Sequence, residues 1–288
     1  MECKSVDSEW IRKEGRVIAK SNLLKDVIRP IGVSWVAIGF GSLLALILEM
    51  FLDLEIPTLV ASGITFVFAV FAAFYLFPQK LKAPFGDMDL SSYLHRLGFY
   101  LPRKAWKHIL LGTILAICTL SGMLIGSLLT GRYELDWSTV DISHILFSIN
   151  PGIWEEFFFR GVIVLVLLRI TGSLRQAALI QVVLFGLTHI KGTDLSAWAD
   201  VLTVIVLAVG FTYTAYKTRT LVAGIVFHFL HDAFLFLPQV PGVELFGVSE
   251  HIVFNVSLWI MVGVGCLLTK FSSDRLGVKA EDELYVLR

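Results

Sequence analysis

Charge is scarce in this 288-residue sequence: Asp, Glu, Lys and Arg make up 17% of it, against 56% hydrophobic residues. A soluble domain does not carry that balance, and a mean hydropathy of +0.76 marks a polytopic membrane protein. The 24 basic and 24 acidic residues cancel, and no basic stretch with interleaved aromatics is present, so no nucleic-acid partner is expected. Cysteine is scarcer still. Cys3, Cys118 and Cys266 are odd in number and scattered, which excludes a disulfide framework and a cysteine-based zinc site. The patterns H-E-x-x-H, G-x-S-G and G-x-G-D are all missing, and with them the zinc, serine and aspartyl chemistries they mark. The first 29 residues are polar and hold seven Lys/Arg, unlike a cleaved signal peptide.

What is abundant is apolar runs of membrane-crossing length. They fall at about 30–52, 57–78, 108–130, 151–168, 174–190, 198–216, 221–237 and 251–270. Most lie near the ~20 residues needed to cross a bilayer. The expected fold is therefore an all-α, polytopic integral membrane bundle of about eight transmembrane helices. No internal repeat or linker divides it. The reading gives an N-terminal segment over 1–29, a membrane domain over 30–270 with its polar core at about 143–237, and a tail over 271–288. In the connection 79–105, Leu90, Tyr93, Leu94, Leu97 and Leu101 recur at helical spacing opposite Ser91, Ser92, His95 and Arg96. That predicts a short amphipathic helix, either on the membrane surface or packed on the bundle.

Orientation follows from Lys and Arg. Counted alternately, one set of loops holds 21 of the 24, while the opposite set holds only Arg132 and Lys191, and Arg160 lies within a span. The positive-inside rule then places both termini in the cytoplasm, with the cell membrane as the expected location.

One stretch stands out against this background: Asn150 to Arg160, reading NPGIWEEFFFR. A charged side chain at the centre of a membrane helix costs roughly 2.5–3.5 kcal/mol on insertion scales. Three such groups here must pair or face a wet interior. Asn150 is placed to cap a helix with Pro151 in its first turn, where the missing N–H is no loss. Glu156 and Arg160 stand i, i+4 with the acid first, the favourable order for an ion pair. Glu155 points about 100° away on an α-helical wheel and is left without that partner. An unpaired carboxylate at depth is a functional-site candidate.

Two later spans carry the remaining costly groups. One ends in FGLTH, with Phe185 and His189 four apart; the other holds HFLHD, with His228 and Asp232 four apart and His231 between them. If these groups converge with Glu155, two chemistries are open. Glu155 acts as general base on a water held by the imidazoles, or Glu155, His189 and His228 hold Zn²⁺ with one position left for that water. In either case Asp232 is spaced to fix the tautomer of His228 from outside. Both describe hydrolysis. His231 turns off the His228–Asp232 face and ranks below it.

These three motifs, in this order and in apolar helices, resemble the CPBP intramembrane proteases, the family of type II CAAX prenyl endopeptidases and Abi bacteriocin-processing proteins. The resemblance covers about 143–237. It implies a catalytic set of Glu155, Glu156, Arg160, His189, His228 and Asp232, with Phe185 in the second motif. The first glutamate activates water, and the histidines hold water or metal. The last position is often Asn, proposed to stabilise the oxyanion; here it is Asp232, which must be protonated to donate a hydrogen bond, or else the role passes to a histidine or a metal. The substrate implied is a membrane-embedded or lipidated peptide within the lipid bilayer. The competing functions are a proton-coupled transporter, since buried Glu, His and Arg also mark ion paths, and a non-catalytic scaffold or immunity protein of the same fold. Counting residues from the span ends places Glu155, His189 and His228 in the outer half of the bilayer.

Overall fold

A computed structural model of the chain describes residues 90–130, 133–135, 148–190, 192–193, 195–235, 239–241 and 250–278, with the single residues Leu44, Val67 and Ile145. The expected spans 30–52 and 57–78, the segment 1–29 and the end of the tail lie outside the described residues, those two single positions aside. The six later spans can be compared directly.

Those spans fold as helices. After a short α1 (Leu90–Arg96), α2 runs over Ala105–Thr130. The fourth span is three consecutive pieces: α3 (Ile149–Glu155), a π-helical stretch (Glu156–Ile163) and α4 (Val164–Thr171). Then follow α5 (Leu174–Leu187), α6 (Leu195–Thr218), α7 (Val222–Leu235) and α8 (Glu250–Leu276). Segments within α2, α6 and α8 (Ala105–Thr130, Ala197–Thr218 and Val253–Leu276) are long and apolar enough to cross a membrane, whereas α5 and α7 are shorter. The architecture is the expected all-α membrane bundle. Two three-residue strands, β1 (Tyr133–Leu135) and β2 (Gln239–Pro241), pair antiparallel in the loops that follow α2 and α7, a detail that the apolar pattern does not foretell.

Local chemistry sets the boundaries. Gly172 takes a left-handed conformation (φ 65°) and ends α4, and its N–H bonds the carbonyl of Leu168 at 2.8 Å. The Ser173 hydroxyl then caps α5 by accepting from the Gln176 N–H. The start of α3 differs from expectation. Its cap position is Ser148, and Asn150 lies inside the first turn. Pro151 is still within that turn, where the backbone N–H has no helical partner to lose. At the other end of the chain α8 continues to Leu276, past the expected boundary at 270. Its polar last turns are held by Lys107, which donates to the Leu276 carbonyl, and by an Asp274–Lys217 ion pair at 2.7 Å.

Small residues let the helices close up. Along α2, Gly112, Ala116, Thr119, Gly122, Gly126 and Thr130 are buried at three- and four-residue spacing. A Cβ on Gly112 would stand 2.4 Å from the Ala223 carbonyl of α7, and one on Gly126 would stand 2.9 Å from the Phe254 Cα of α8. In lipid such stripes allow backbones to approach where no hydrophobic driving force exists between helices.

The basic loops gather at one end. Tyr100 donates its hydroxyl to the Arg219 carbonyl, the Leu221 N–H bonds the Gly98 carbonyl, and Lys107 and Lys217 reach the end of α8. The turn after α1 packs onto the bundle here: Leu97 is fully buried, in contact range of Gly161 and close to Leu221. Leu101 is 78% exposed and does not share that face.

Candidate functional site

The π-helical stretch opens with Glu156, and the whole of it is buried. Glu156 Oε1 lies 3.1 Å from Arg160 Nη1, with both side chains at 0% exposure. Two rings cap the guanidinium. Its Cζ stands 4.1 Å from the centroid of Phe185 on α5 and 4.8 Å from that of Phe211 on α6. A desolvated cation over aromatic faces gains on the order of 2 kcal/mol from each good contact. The phenylalanine of the FxxxH motif thus lies against the arginine of EExxxR.

His228, the seventh residue of α7, joins both glutamates. Its Nδ1 is 3.0 Å from Glu156 Oε1. A carboxylate only accepts, so Nδ1 carries the proton in this arrangement. On the far side, Nε2 stands 3.8 Å from Glu155 Oε2 and 3.5 Å from Asp232 Oδ2. Asp232 therefore does not hold the tautomer from outside, as its spacing suggested. Glu156 occupies that position, and Asp232 shares the Nε2 side with Glu155. Exposure separates the acids. Glu155 and Asp232 retain 15% and 21% of their side-chain surface, while Glu156 and Arg160 are sealed.

Helix α7 reaches the motif through two glycines. A Cβ on Gly224 would meet Glu156 Oε2 at 2.7 Å, and one on Gly152 would stand 3.3 Å from the Ile225 carbonyl and Phe229 nitrogen. Ser148 adds a hydrogen bond to the Phe229 carbonyl at 3.3 Å.

His189 lies just past the end of α5. Its Nδ1 donates to the carbonyl of Phe185 at 2.9 Å, one turn back in its own chain, which leaves Nε2 as the acceptor atom. Its ring packs on Phe185, 4.8 Å between centroids, and Phe185 in turn lies 6.4 Å from His228. Among the described residues no three His, Cys, Asp or Glu side chains are grouped as a cation site. In the Zn²⁺ ligand set Glu155, His189 and His228, it is Nε2 of His189 that would join the other two. His231 is buried and faces Phe227, 6.3 Å between centroids, on a different side of α7.

The depth of the site also differs from expectation. His228 lies seven residues beyond Leu221, whose N–H is bonded at the basic end, or about 10 Å along the helix. Phe211, stacked on His228, is seven residues before Thr218, a similar distance from that end. Glu155 is six residues from Ile149 at the opposite end, about 9 Å. Counted along the helices, the cluster sits near mid-bundle, about as far from the one point as from the other.

Sequence spacing does not reveal Phe211, Gly152 or Gly224. Gly224 does carry a faint signal, being four residues before His228 on an otherwise bulky helix.

Residues 137–234 match the family model described as type II CAAX prenyl endopeptidase Rce1-like. The matched segment is about a third of the chain and contains every residue of the three motifs. No curated protein matches the chain. The resemblance to the CPBP family holds on this comparison, and the match supports a CAAX-type endopeptidase acting in the membrane.

Proposed function

We propose that this chain, Rce1-like across its polar core, hydrolyses a peptide bond of a membrane-embedded or lipidated peptide with a water activated by Glu155. The observation that carries this reading is the division of His228. Glu156 takes its Nδ1, and the two acids that keep some exposure, Glu155 and Asp232, flank its Nε2.

A water on the open side of that group can touch both Glu155 and Nε2. Glu155 takes a proton from it, and the resulting hydroxide adds to the scissile carbonyl carbon. The same proton passes from Glu155 to the amide nitrogen as the C–N bond breaks, so the carboxylate is regenerated. The developing oxyanion needs a donor, and Asp232 in its protonated form supplies one. Arg160 pairs with Glu156, and Glu156 holds His228. The Zn²⁺ alternative would require His189 to join Glu155 and His228 through Nε2, the atom its Nδ1–H bond to the Phe185 carbonyl leaves as the acceptor.

The site lies about 9 Å from Ile149 at one end and about 10 Å from the basic end. With the positive-inside orientation this is the cytoplasmic side of a cell membrane, where both termini also lie. The test is to incubate the purified protein in lipid vesicles with a farnesylated peptide ending in a C-A-A-X tail, and with its unlipidated counterpart. Products are read by mass spectrometry beside Glu155→Ala. A defined product from the wild type, absent with Glu155→Ala, is the expected result. Equal product from both proteins would end the assignment of Glu155.

A further inference from the structure

We infer that Phe211 is a positioning residue of this site, a ring that holds Arg160 and His228 in register with one another. The inference rests on the hydrolytic reading above. Phe211 is in none of the three motifs and lies on α6, between the helices that carry the second and third.

Two functional groups meet its ring. The His228 imidazole stacks on it with 4.5 Å between centroids and 23° between planes. The Arg160 Cζ stands 4.8 Å from its centroid. The ring is itself wedged. Phe227 packs at 4.4 Å, Phe185 approaches edge-on at 6.3 Å, and only 2% of Phe211 is exposed. Gly210 makes room for this, since a Cβ there would lie 3.1 Å from the Phe227 ring. The next residue fixes the rotation of α6: the Thr212 hydroxyl donates to Gln181 Oε1 of α5 at 2.8 Å.

The chemistry needs this restraint. An imidazole turning about its Cβ–Cγ bond would carry Nδ1 away from Glu156 and present Nε2 or carbon in its place. Glu156 supplies one hydrogen bond, which fixes a direction but not the ring plane. A flat face stacked at 23° fixes the plane, so Nε2 stays between Glu155 and Asp232. A site held within small angular tolerances depends on such supporting contacts.

The test compares Phe211→Leu, which removes the ring, with Phe211→Tyr, which keeps it. Leu258→Ala, at a buried α8 position against Gly122 of α2, controls for lost core packing. Each full-length protein is labelled with ¹⁵N-histidine in lipid vesicles, and the His228 signals are assigned by their loss in His228→Gln. In the wild type and Phe211→Tyr, His228 should show a single state protonated at Nδ1. In Phe211→Leu the two nitrogens should move toward averaged positions. On the farnesylated peptide, kcat should fall at least tenfold in Phe211→Leu with KM within twofold, while Leu258→Ala keeps its kcat. His228 signals in Phe211→Leu no different from those in Leu258→Ala would overturn the inference. If the wild type cleaves no peptide, the hydrolytic reading fails, and the nitrogen signals alone decide the role of the ring.

Discussion

His228 Nδ1 and Glu156 Oε1 are 3.0 Å apart, which draws the second glutamate of the motif out of a simple ion pair and into the orientation of the imidazole. The two adjacent acids therefore fail differently when neutralised. Glu155→Gln should abolish turnover and leave the amount of folded protein near normal. Glu156→Gln strands Arg160 at 0% exposure and should destabilise by roughly 3–5 kcal/mol, the cost of breaking a buried pair. Thermal unfolding in detergent, measured beside turnover, separates the two. Equal loss of folded protein in both would remove the division of labour.

Gly224 gives a steric probe of the same carboxylate. Its missing side chain leaves 2.7 Å between a would-be Cβ and Glu156 Oε2, so Gly224→Ala must displace the acid or the helix. Overpacking of this kind costs about 1–3 kcal/mol. We expect a lowered Tm together with more than a tenfold loss of kcat, because Glu156 moves relative to His228. Unchanged kcat in a folded Gly224→Ala protein would show that Glu156 does not need its present seat.

Asp232 can donate to an oxyanion only while protonated, whereas an asparagine amide donates at any pH. Asp232→Asn should therefore keep activity, because its amide supplies the same donor. Asp232→Leu should lose at least a hundredfold in kcat, the scale seen when a single oxyanion donor is removed. Turnover measured for the three proteins checks this, and an inactive Asp232→Asn would assign Asp232 a role that needs its charge.

For metal, fully active protein should contain far less than one zinc per chain and keep its activity after dialysis against a chelator. Elemental analysis beside the peptide assay reads both quantities. Stoichiometric zinc, with activity lost on chelation and restored by zinc alone, would show that His189 joins Glu155 and His228 in the working enzyme.

Topology has a direct measurement. Single cysteines at Thr193 and at Lys104, both exposed, sit at opposite ends of the bundle. With Cys3, Cys118 and Cys266 replaced by alanine, an impermeant thiol reagent on intact cells should label Thr193→Cys at once and Lys104→Cys only after lysis. The reverse pattern would invert the orientation.

Much of this fold is written in single helices, and that part was legible. Apolar runs located the described spans, and the i, i+4 spacing of Glu156 and Arg160 announced their pair. Helix ends were close, though Ser148 rather than Asn150 occupies the cap of α3. What escaped was anything that depends on neighbours. The angle assigned to Glu155 assumed an α-helix, but Glu156–Ile163 is wound as a π-helix, whose wider i→i+5 bonding shifts every side-chain direction. Phe211 and Gly224 have no local signature, since their roles arise from Arg160, His228 and Glu156 on other helices. The residue type of His189 does not tell which ring nitrogen is presented; its Nδ1 bond to the backbone of its own turn assigns that to Nε2.

On the hydrolytic reading proposed above, the mid-bundle position of His228 decides what shape of chain could be cut there. A peptide crossing the hydrocarbon layer as a helix has every carbonyl already hydrogen-bonded to itself, and unravelling it in lipid leaves bare polar groups at a cost of several kcal/mol each. A bond presented to Glu155 must be free of such bonding. Short terminal tails, and segments beside a proline or glycine where helices come apart, meet that condition without help. Selection at this depth is thus exercised on the looseness of the backbone before any side chain is read.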